Sequence, residues 1–317
     1  MFRRLVVLGV AAAAATGLSA CGSGPDPGAT PDAAQPLAGT TLTIGSKDFT
    51  ESILLSQMAM QMLEANGATV NDKTNIAGSV TTRNALTGGD IDLYWEYTGT
   101  AWVSYLQQTA VVNDPTQLFD QVKQQDASTN KIAWFNRAPL DNTYAFAIRR
   151  SEAEKLGVTK LSEVAALAKT NPAAATFCIE SEFSTRDDGW PGLTAAYGIN
   201  VPPANVKMLD TGVIYTQTAQ GDTCNFGEVF TTDGRIKALD LVVLQDDLKF
   251  FPIYNAAVTT RDTTLAEHPE IESILAPVAA ALDTATMQQL NSRVDTDGED
   301  PADVAQAWLT EKGFLSS

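Results

Sequence analysis

Short strand-like runs alternate with helical patterns along most of this chain, and this alternation constrains the fold more than any other feature. The runs rich in β-branched and aromatic residues are Thr41–Ile44, Ile91–Tyr94, Ile132–Phe135, Tyr144–Ile148, Ala175–Ile179, Asn225–Phe230 and Leu241–Leu244. Helical patterns separate many of them, at about 50–66, 115–125, 161–169, 190–197 and 213–220. Alternation of this kind predicts an α/β fold with mostly parallel sheets. After Tyr254 we expect almost only helices, with Pro269 and Pro301 near helix starts.

The first predicted helix carries its own start and stop signals. Asp48, with Glu51 three residues later, resembles a capping box, and Gly67 stands where the helix would end. Leu54 and Met58 lie four residues apart, on one face of such a helix. This pattern predicts an amphipathic helix that packs against the sheet.

The beginning of the chain has the form of a secretory signal. Arg3 and Arg4 precede an apolar stretch, Leu5–Ala15, that is too short to span a bilayer. Leu18-Ser19-Ala20-Cys21 then resembles the lipobox of bacterial lipoproteins, in which the cysteine is lipidated and becomes the mature N-terminus. The alternative is an ordinary signal peptide followed by an incidental cysteine.

We therefore expect residues 1–20 to be a lipoprotein signal peptide and a lipid on Cys21 to hold the protein at the outer face of the cell membrane. Residues 21–39 are rich in Gly, Pro, Ala and Asp, and this composition predicts a flexible tether. About 278 residues follow the tether (317 less 39), which suits two lobes better than one core.

The mature chain is strongly acidic. Removing residues 1–20 takes away Arg3 and Arg4 and no acidic residue, leaving 38 acidic against 19 basic residues (21 less 2), a formal net charge of −19. Nucleic acid binding needs a basic surface, so this composition argues against it. It does not establish a cationic ligand, because dispersed acidic residues commonly serve solubility.

Two cysteines, Cys178 and Cys224, remain after Cys21. Outside the cell thiols are not kept reduced, so we expect these two to form a disulfide. A metal site is less well supported, because His268 is the only histidine of the chain. We expect neither a metal nor a cofactor.

Catalysis has little support in the sequence. The chain has no GxSxG nucleophile elbow, no GxxxxGK phosphate loop and no metal-binding helix motif. A Ser-His-Asp triad would have to use His268, which stands between Glu267 and Pro269 in a polar context typical of a surface. We therefore expect no enzymatic activity, although a secreted hydrolase stays open as an alternative.

A binding site is better supported, by the aromatic segment 90–100. It reads Asp-Ile-Asp-Leu-Tyr-Trp-Glu-Tyr-Thr-Gly-Thr. Tyr94 and Trp95 are typical of a buried strand. Tyr97 falls at the strand end, where sheets of this class present residues to ligands.

Six motifs in order resemble the substrate-binding proteins of osmoprotectant ABC importers, which take up glycine betaine, choline, carnitine and related quaternary amines. These motifs are Gly45–Glu51, Glu96–Thr100, Asn142–Tyr144, Glu182–Gly189, Phe230–Gly234 and Phe251–Tyr254. The resemblance covers nearly all of the chain from Thr41 to the C-terminus. It implies a two-lobe periplasmic-binding-protein fold of the two-crossover type, with the ligand cleft between the lobes.

The resemblance also implies the site. Aromatic rings in this family surround the ammonium group, and a basic residue holds the ligand carboxylate. Carried over by position, the cage comprises Tyr97, Tyr144, Phe230 and Tyr254, with Arg186 as the carboxylate clamp and Lys47 and Thr100 assisting. Phe230 stands where a tyrosine is common, and Trp95 where proline is frequent. The alternative for Arg186 is a salt bridge with Asp187 or Asp188.

The resemblance further implies that residues 40–142 plus 252–317 form one lobe and residues 143–251 the other. We expect a monomeric solute-binding lipoprotein that delivers a quaternary amine, most simply glycine betaine, to an ABC permease. The alternatives are another small solute in the same cleft, such as an amino acid or a polyol, and a tethered adhesion module.

Overall fold

The computed structural model describes residues 35–316, and its strands form two sheets of five strands each. The first sheet comprises β1 (Thr41–Lys47), β2 (Thr69–Ile76), β3 (Leu93–Tyr97), β4 (Ile132–Phe135) and β10 (Ala256–Arg261), in the order β2-β1-β3-β10-β4. The second comprises β5 (Tyr144–Arg149), β6 (Phe177–Ile179), β7 (Val206–Met208), β8 (Phe226–Phe230) and β9 (Leu241–Val243), in the order β7-β6-β8-β5-β9. The predicted α/β class is confirmed.

The two sheets share one topology. In each sheet, the strand that follows a crossing of the chain from the other sheet lies antiparallel between two other strands. This strand is β10 in the first sheet, between β3 and β4, and β5 in the second, between β8 and β9. The other pairings are parallel. The chain therefore crosses between the sheets after β4 and again after β9, and we propose lobe boundaries at 142/143 and 251/252.

Helices cover both sheets. Those of the first lobe are α1 (Thr50–Ala65), α2 (Ser79–Gly88), α3 (Thr98–Thr100, continued by a π-helical turn at Ala101–Tyr105), α4 (Pro115–Asn130), α10 (Asp262–Glu267), α11 (Glu270–Ala281), α12 (Thr284–Asp295) and α13 (Pro301–Glu311). Those of the second lobe are α5 (Arg150–Leu156), α6 (Leu161–Thr170), α7 (Trp190–Tyr197), α8 (Thr211–Gln220) and α9 (Arg235–Ala238), with a 3₁₀ turn at Pro203–Asn205. Across residues 35–316, none of these helices combines the length and the apolar character that a membrane span requires.

The start of α1 differs from the predicted capping box. Phe49 is the N-cap residue, and no side chain caps this helix. The Asp48 carboxylate accepts the Gly78 N–H at 3.2 Å instead. Glu51 is buried in the interior, where three side chains donate hydrogen bonds to it. The sequence spacing was misleading because tertiary partners, rather than the helix end, satisfy both carboxylates.

The sequence predicted almost only helices after Tyr254, but the strand β10 lies at the start of this segment. β10 is buried between β3 and β4, and its β-branched run Val258–Thr260 is too short to be separated by pattern from the helices that follow it. The two proline predictions are confirmed: Pro269 is the N-cap residue of α11, and Pro301 opens α13.

The folded part begins slightly earlier than the predicted end of the tether at residue 39. Leu37 is buried against the core of the first lobe, and its N–H donates to the Asn66 carbonyl at 3.0 Å. Burial of the apolar Leu37 side chain therefore makes the residues around it part of the folded lobe rather than of the predicted tether. Cys21, the signal peptide and the rest of the tether lie outside the described residues.

The predicted disulfide is confirmed. Cys178 at β6 and Cys224 just before β8 are joined, with their Cα atoms 5.7 Å apart. Both cysteines are buried beside Ile214 of α8. The bond therefore connects β6 to the segment that leads into the neighbouring parallel strand β8.

Candidate ligand-binding site

A cavity of about 430 Å³ lies between the two sheets, at the end of the first sheet where β1 and β3 terminate. This volume lies within the usual range for small-molecule sites. The residues that line it include Lys47, Asp48, Phe49, Ser79, Tyr97, Thr100, Asn142, Tyr144, Glu180, Glu182, Glu228, Phe230 and Tyr254. Both lobes contribute, so the cavity depends on how the lobes meet.

The structure brings six of the seven residues predicted to bind ligand to this cavity, namely Lys47, Tyr97, Thr100, Tyr144, Phe230 and Tyr254. Arg186 lies behind the wall instead and reaches the cavity through Glu182, whose carboxylate it binds. The roles assigned to these residues stay predictions.

Five aromatic rings form a continuous row along the cavity. Their order is Tyr97, Phe49, Phe230, Tyr144 and Tyr254, and successive ring centroids are 5.8, 5.5, 5.3 and 5.3 Å apart. The last two rings meet nearly at right angles, at 84°. The interplanar angles along the row range from 24° to 84°, so the rings present faces in different directions, as a cage for a cation requires. We call these five residues the ring row.

Local structure fixes the rings of the row. Tyr144 and Phe230 are directly paired across β5 and β8, so sheet register sets their separation. The Tyr97 hydroxyl donates to Glu51 Oε1 at 2.9 Å, and the Tyr254 hydroxyl donates to Asp188 Oδ2 at 2.5 Å.

Glycine at position 99 is required by close packing beside the row. A Cβ atom added at Gly99 would lie 2.7 Å from the Tyr254 ring, a distance that packing does not allow. The backbone of the Glu96–Thr100 motif is therefore close against one wall of the cavity.

The two crossing segments are hydrogen-bonded to each other next to the ring row. The Asn142 N–H donates to the Tyr254 carbonyl at 3.0 Å, and the Tyr254 N–H donates to Asp141 Oδ1 at 2.7 Å. Asn142 also donates through Nδ2 to Glu51 Oε1 at 2.8 Å. Two cavity residues, Asn142 and Tyr254, therefore lie where the chain passes between lobes.

Lys47 is held by a buried carboxylate. Its Nζ lies 2.6 Å from Glu96 Oε1 and 5.2 Å from the centre of the Tyr97 ring. Glu96 also accepts the hydroxyls of Tyr94 and Tyr105, both at 2.7 Å. The Lys47–Glu96 pair is thus compensated within the protein, while the remaining ammonium hydrogens of Lys47 can serve a ligand.

Arg186 is engaged by protein carboxylates on both sides. Its Nε and Nη2 donate to the two oxygens of Asp188 at 2.7 and 2.5 Å, and its Nη1 donates to Glu182 Oε1 at 2.8 Å. The contact with Asp188 is one of the two salt bridges considered from the sequence. A ligand carboxylate would therefore share this guanidinium with Asp188 or displace it.

The cavity wall from the second lobe is acidic. Glu182 accepts the Ser79 N–H of the first lobe at 2.9 Å. Burial opposes ionisation of Glu182, but the charges of Lys47 and Arg186 and the Ser79 N–H outweigh it and lower its pKa to about 2. Glu228 behaves oppositely, since burial and the nearby Glu180 raise its pKa to about 8.

Several cavity residues were not identified from the sequence, notably Phe49, Asn142, Glu182 and Glu228. The first three lie within the motifs Gly45–Glu51, Asn142–Tyr144 and Glu182–Gly189, so a residue-by-residue reading of those motifs could have found them. Glu228 and Glu180 carry no comparable signal. They come together because β6 and β8 are neighbouring strands.

Comparison with known proteins supplies a family. Residues 40–311 match the family described as the substrate-binding domain of ABC-type glycine betaine transport systems. The glycine-betaine-binding protein of Pseudomonas aeruginosa is 35% identical over 280 residues, covering 87% of this chain and 89% of the relative. The glycine betaine-binding protein YehZ of Escherichia coli K12 is 34% identical over 284 residues, covering 87% and 92%.

The fold is shared with a solved structure. A crystal structure described as a glycine betaine/carnitine/choline ABC transporter superposes with a TM-score of 0.69 at 27% identity, covering 86% of this chain and 99% of that one. The predicted two-lobe periplasmic-binding-protein fold is therefore confirmed.

Proposed function

This chain belongs to the family of substrate-binding domains of ABC-type glycine betaine transport systems, and from that premise we propose that it captures a small quaternary-ammonium solute, glycine betaine first, with choline and carnitine possible. The family works outside the cytoplasm by binding rather than by catalysis. The observation that carries the proposal is the ring row of Tyr97, Phe49, Phe230, Tyr144 and Tyr254 along an acidic cavity.

The chemistry of a trimethylammonium group suits this cavity. The group has no N–H, so a carboxylate cannot hydrogen-bond it strongly, and its diffuse charge is attracted to ring faces at about 0.5–2 kcal/mol per contact. Several rings together could supply micromolar binding, roughly −8 kcal/mol, after the entropy of capture is subtracted. Glu180 and Glu182 on the same wall add a favourable field for a cation.

The carboxylate of a betaine needs donors at the other end of the ligand. Lys47 and Thr100 line the cavity and can donate to it. We propose that Arg186 joins them by turning part of its guanidinium from Asp188 toward the ligand. Choline has a hydroxyl group instead of a carboxylate, so it can accept a hydrogen bond from these residues but gains no ion pair with Lys47 or Arg186.

Capture then serves delivery to an ABC permease. We propose that the lobes close over the solute, that the closed form docks on the permease, and that a lipid on Cys21 retains the monomeric protein at the outer face of the membrane. The contacts of Ser79 with Glu182 and of Tyr254 with Asp188 join the lobes across the cavity. These contacts are available only when the lobes are together.

Calorimetric titration with glycine betaine, choline, carnitine and proline tests the solute. We expect micromolar binding of glycine betaine, weaker binding of choline and no comparable binding of proline. Binding of proline but of no quaternary amine would replace the proposal with an amino-acid cargo.

Cell fractionation tests the anchor. The Cys21→Ala variant should leave the membrane for the soluble fraction or accumulate as precursor. Full retention of that variant on membranes would show that the attachment does not depend on Cys21.

A further inference from the structure

Glu228 is a buried carboxyl group without a basic partner. Within residues 35–316 the only hydrogen bond to its carboxyl oxygens comes from the Glu180 N–H, which donates to Oε2 at 2.7 Å. Glu228 is 4% exposed, and over the same residues no lysine or arginine nitrogen lies within 4.0 Å of its carboxyl oxygens. Buried carboxylates are ordinarily paired, so the absence of a partner here requires an explanation.

The position of Glu228 supplies that explanation, because its side chain lines the ligand cavity. It stands two residues before Phe230 on β8, on the same face of the strand, and Phe230 and Tyr144 are adjacent members of the ring row. A cation held against these two rings would lie close to the Glu228 carboxyl group.

The groups around Glu228 do not provide the missing charge. The titratable and charged groups that face it are Glu180 and Glu182 from the segment after β6, Arg186, and Tyr144 of β5, whereas Tyr215 of α8 packs with Val229 on the opposite face of β8. Arg186 is the one cation among these, and both sides of its guanidinium are bound to Asp188 and Glu182. The two other glutamates oppose the ionisation of Glu228.

We propose that Glu228 is a specificity-determining residue whose missing counter-charge is the ammonium group of the ligand, so that ionised Glu228 favours a purely cationic ligand over a zwitterion. This inference rests on the proposed function. When a cation enters, Glu228 loses its proton to the buffer and becomes its counter-ion. A betaine brings its own carboxylate, which cancels part of the ligand's field at Glu228, so the effect is smaller for a betaine than for choline.

The sign of the pH dependence follows from linkage. The empty site holds a proton on Glu228 up to about pH 8, and a bound cation lowers that pKa. Affinity for choline should therefore rise as pH increases and level off above about pH 8. Because glycine betaine responds less, the preference for betaine over choline should narrow at alkaline pH.

Calorimetric titration of the whole mature protein with choline and with glycine betaine, from about pH 6 to about pH 9, tests the proposal. We expect choline affinity to rise about tenfold and glycine betaine affinity to rise less than about threefold. Repeating the choline titration in two buffers of different ionisation enthalpy should show proton release near neutral pH. The Glu228→Gln variant should lose both the rise and the proton release. The Glu152→Gln variant, which removes a charge paired with Lys155 outside the cavity, should keep both.

The outcomes separate this proposal from the function it rests on. Binding of neither ligand at any pH would overturn both. Binding with the same pH profile in wild type and Glu228→Gln, or a choline affinity that falls as pH rises, would overturn only the role of Glu228. If Glu228→Gln does not fold, the wild-type proton release decides alone, and no release on choline binding rejects the proposal.

Discussion

The two lobes share one sheet topology but present different walls to the cavity. The first lobe has charges that the protein already compensates: Lys47 at the cavity pairs with Glu96, and Glu51, directly behind the wall, accepts hydrogen bonds from Tyr97, Asn142 and Asn291. The second lobe presents Glu180 and Glu228, neither of which has a basic partner within 4.0 Å in the described part of the chain.

A shared topology therefore does not set the polarity of a site. The wall of the first lobe is organised before a ligand arrives, since each of its buried charges has partners. The wall of the second lobe is electrostatically incomplete, and a cation would complete it.

Removing the disulfide should weaken the second lobe alone. A double variant, Cys178→Ala with Cys224→Ala, releases a loop with a sequence separation of 46 residues, for which chain entropy gives about 4 kcal/mol as an upper estimate. Hydrogen exchange should show faster exchange in β6 and β8 and unchanged exchange in β1 and β3. Equal acceleration in both sheets would mean that the lobes unfold as one unit.

The same substitution should have opposite effects on the two walls. In Glu51→Gln the amide NH₂ group faces at least one of the three donors, Tyr97, Asn142 and Asn291, so a hydrogen bond is lost. This loss should lower the unfolding free energy by about 1–3 kcal/mol. Glu228→Gln should instead stabilise the empty protein at alkaline pH by about 1–3 kcal/mol.

The sign for Glu228 follows from its raised pKa. Between pH 4.5, the ordinary pKa of a glutamate, and about pH 8, the pKa of Glu228 in the folded state, the folded protein keeps the proton whereas the unfolded chain loses it, so wild-type stability falls across this window. Denaturant titrations at about pH 4.5 and about pH 9 should show no difference between Glu228→Gln and wild type at the lower pH and the full difference at the higher. Destabilisation by Glu228→Gln at the higher pH would contradict the contrast between the walls.

Replacing a ring of the ring row should weaken ligand binding. Phe230→Leu keeps apolar bulk but removes the ring quadrupole, and should cost about 1–2 kcal/mol of binding free energy for glycine betaine. Phe230→Tyr retains the ring and is the matched control. Phe230 is the clearest position because Tyr97 and Tyr254 also donate hydrogen bonds to buried carboxylates. Calorimetry measures the effect, provided that the variant without ligand melts at the wild-type temperature. Wild-type affinity in Phe230→Leu would mean that this ring only packs in the protein and does not contact the ligand.

The smallest effect should come from Arg186→Lys. Lysine cannot reproduce the bidentate geometry, so glycine betaine should bind about 1 kcal/mol more weakly while choline changes little. Titrating both ligands against the variant measures this difference. An equal loss for both ligands would assign Arg186 to holding Asp188 and Glu182 rather than to gripping a carboxylate.

The sequence predicted the buried strands and the ring positions well, because these carry local signals. β4 matches its predicted bounds, and the motifs placed Tyr144 and Tyr254 at the cavity. Two strands gave no such signal: β2 is an edge strand with mostly exposed polar residues, and β7 has three residues. β10 was missed for a different reason, since its strand state depends on the two neighbours that flank it.

The electrostatic character of the site could not be predicted from the sequence. Glu180 and Glu228 are distant in the chain, and only the pairing of β6 with β8 brings them together. The engagement of Arg186 by Glu182 and Asp188 likewise depends on the turn that those residues form. A motif identifies which residues meet the cavity, but the partners of each charge depend on the assembled fold.

The hydrogen bonds that join the crossing segments have a kinetic consequence. Asn142 and Tyr254 belong both to the crossing segments, where we place the hinge between the lobes, and to the wall of the cavity, and Asp141 accepts the Tyr254 N–H. On the proposed function, the lobes separate by bending at this pair of segments, and Tyr254 moves with them. Opening and release are then one event, so the dwell time of the solute, and with it the fastest possible turnover of the importer, would be set at the hinge rather than by the strength of the contacts alone.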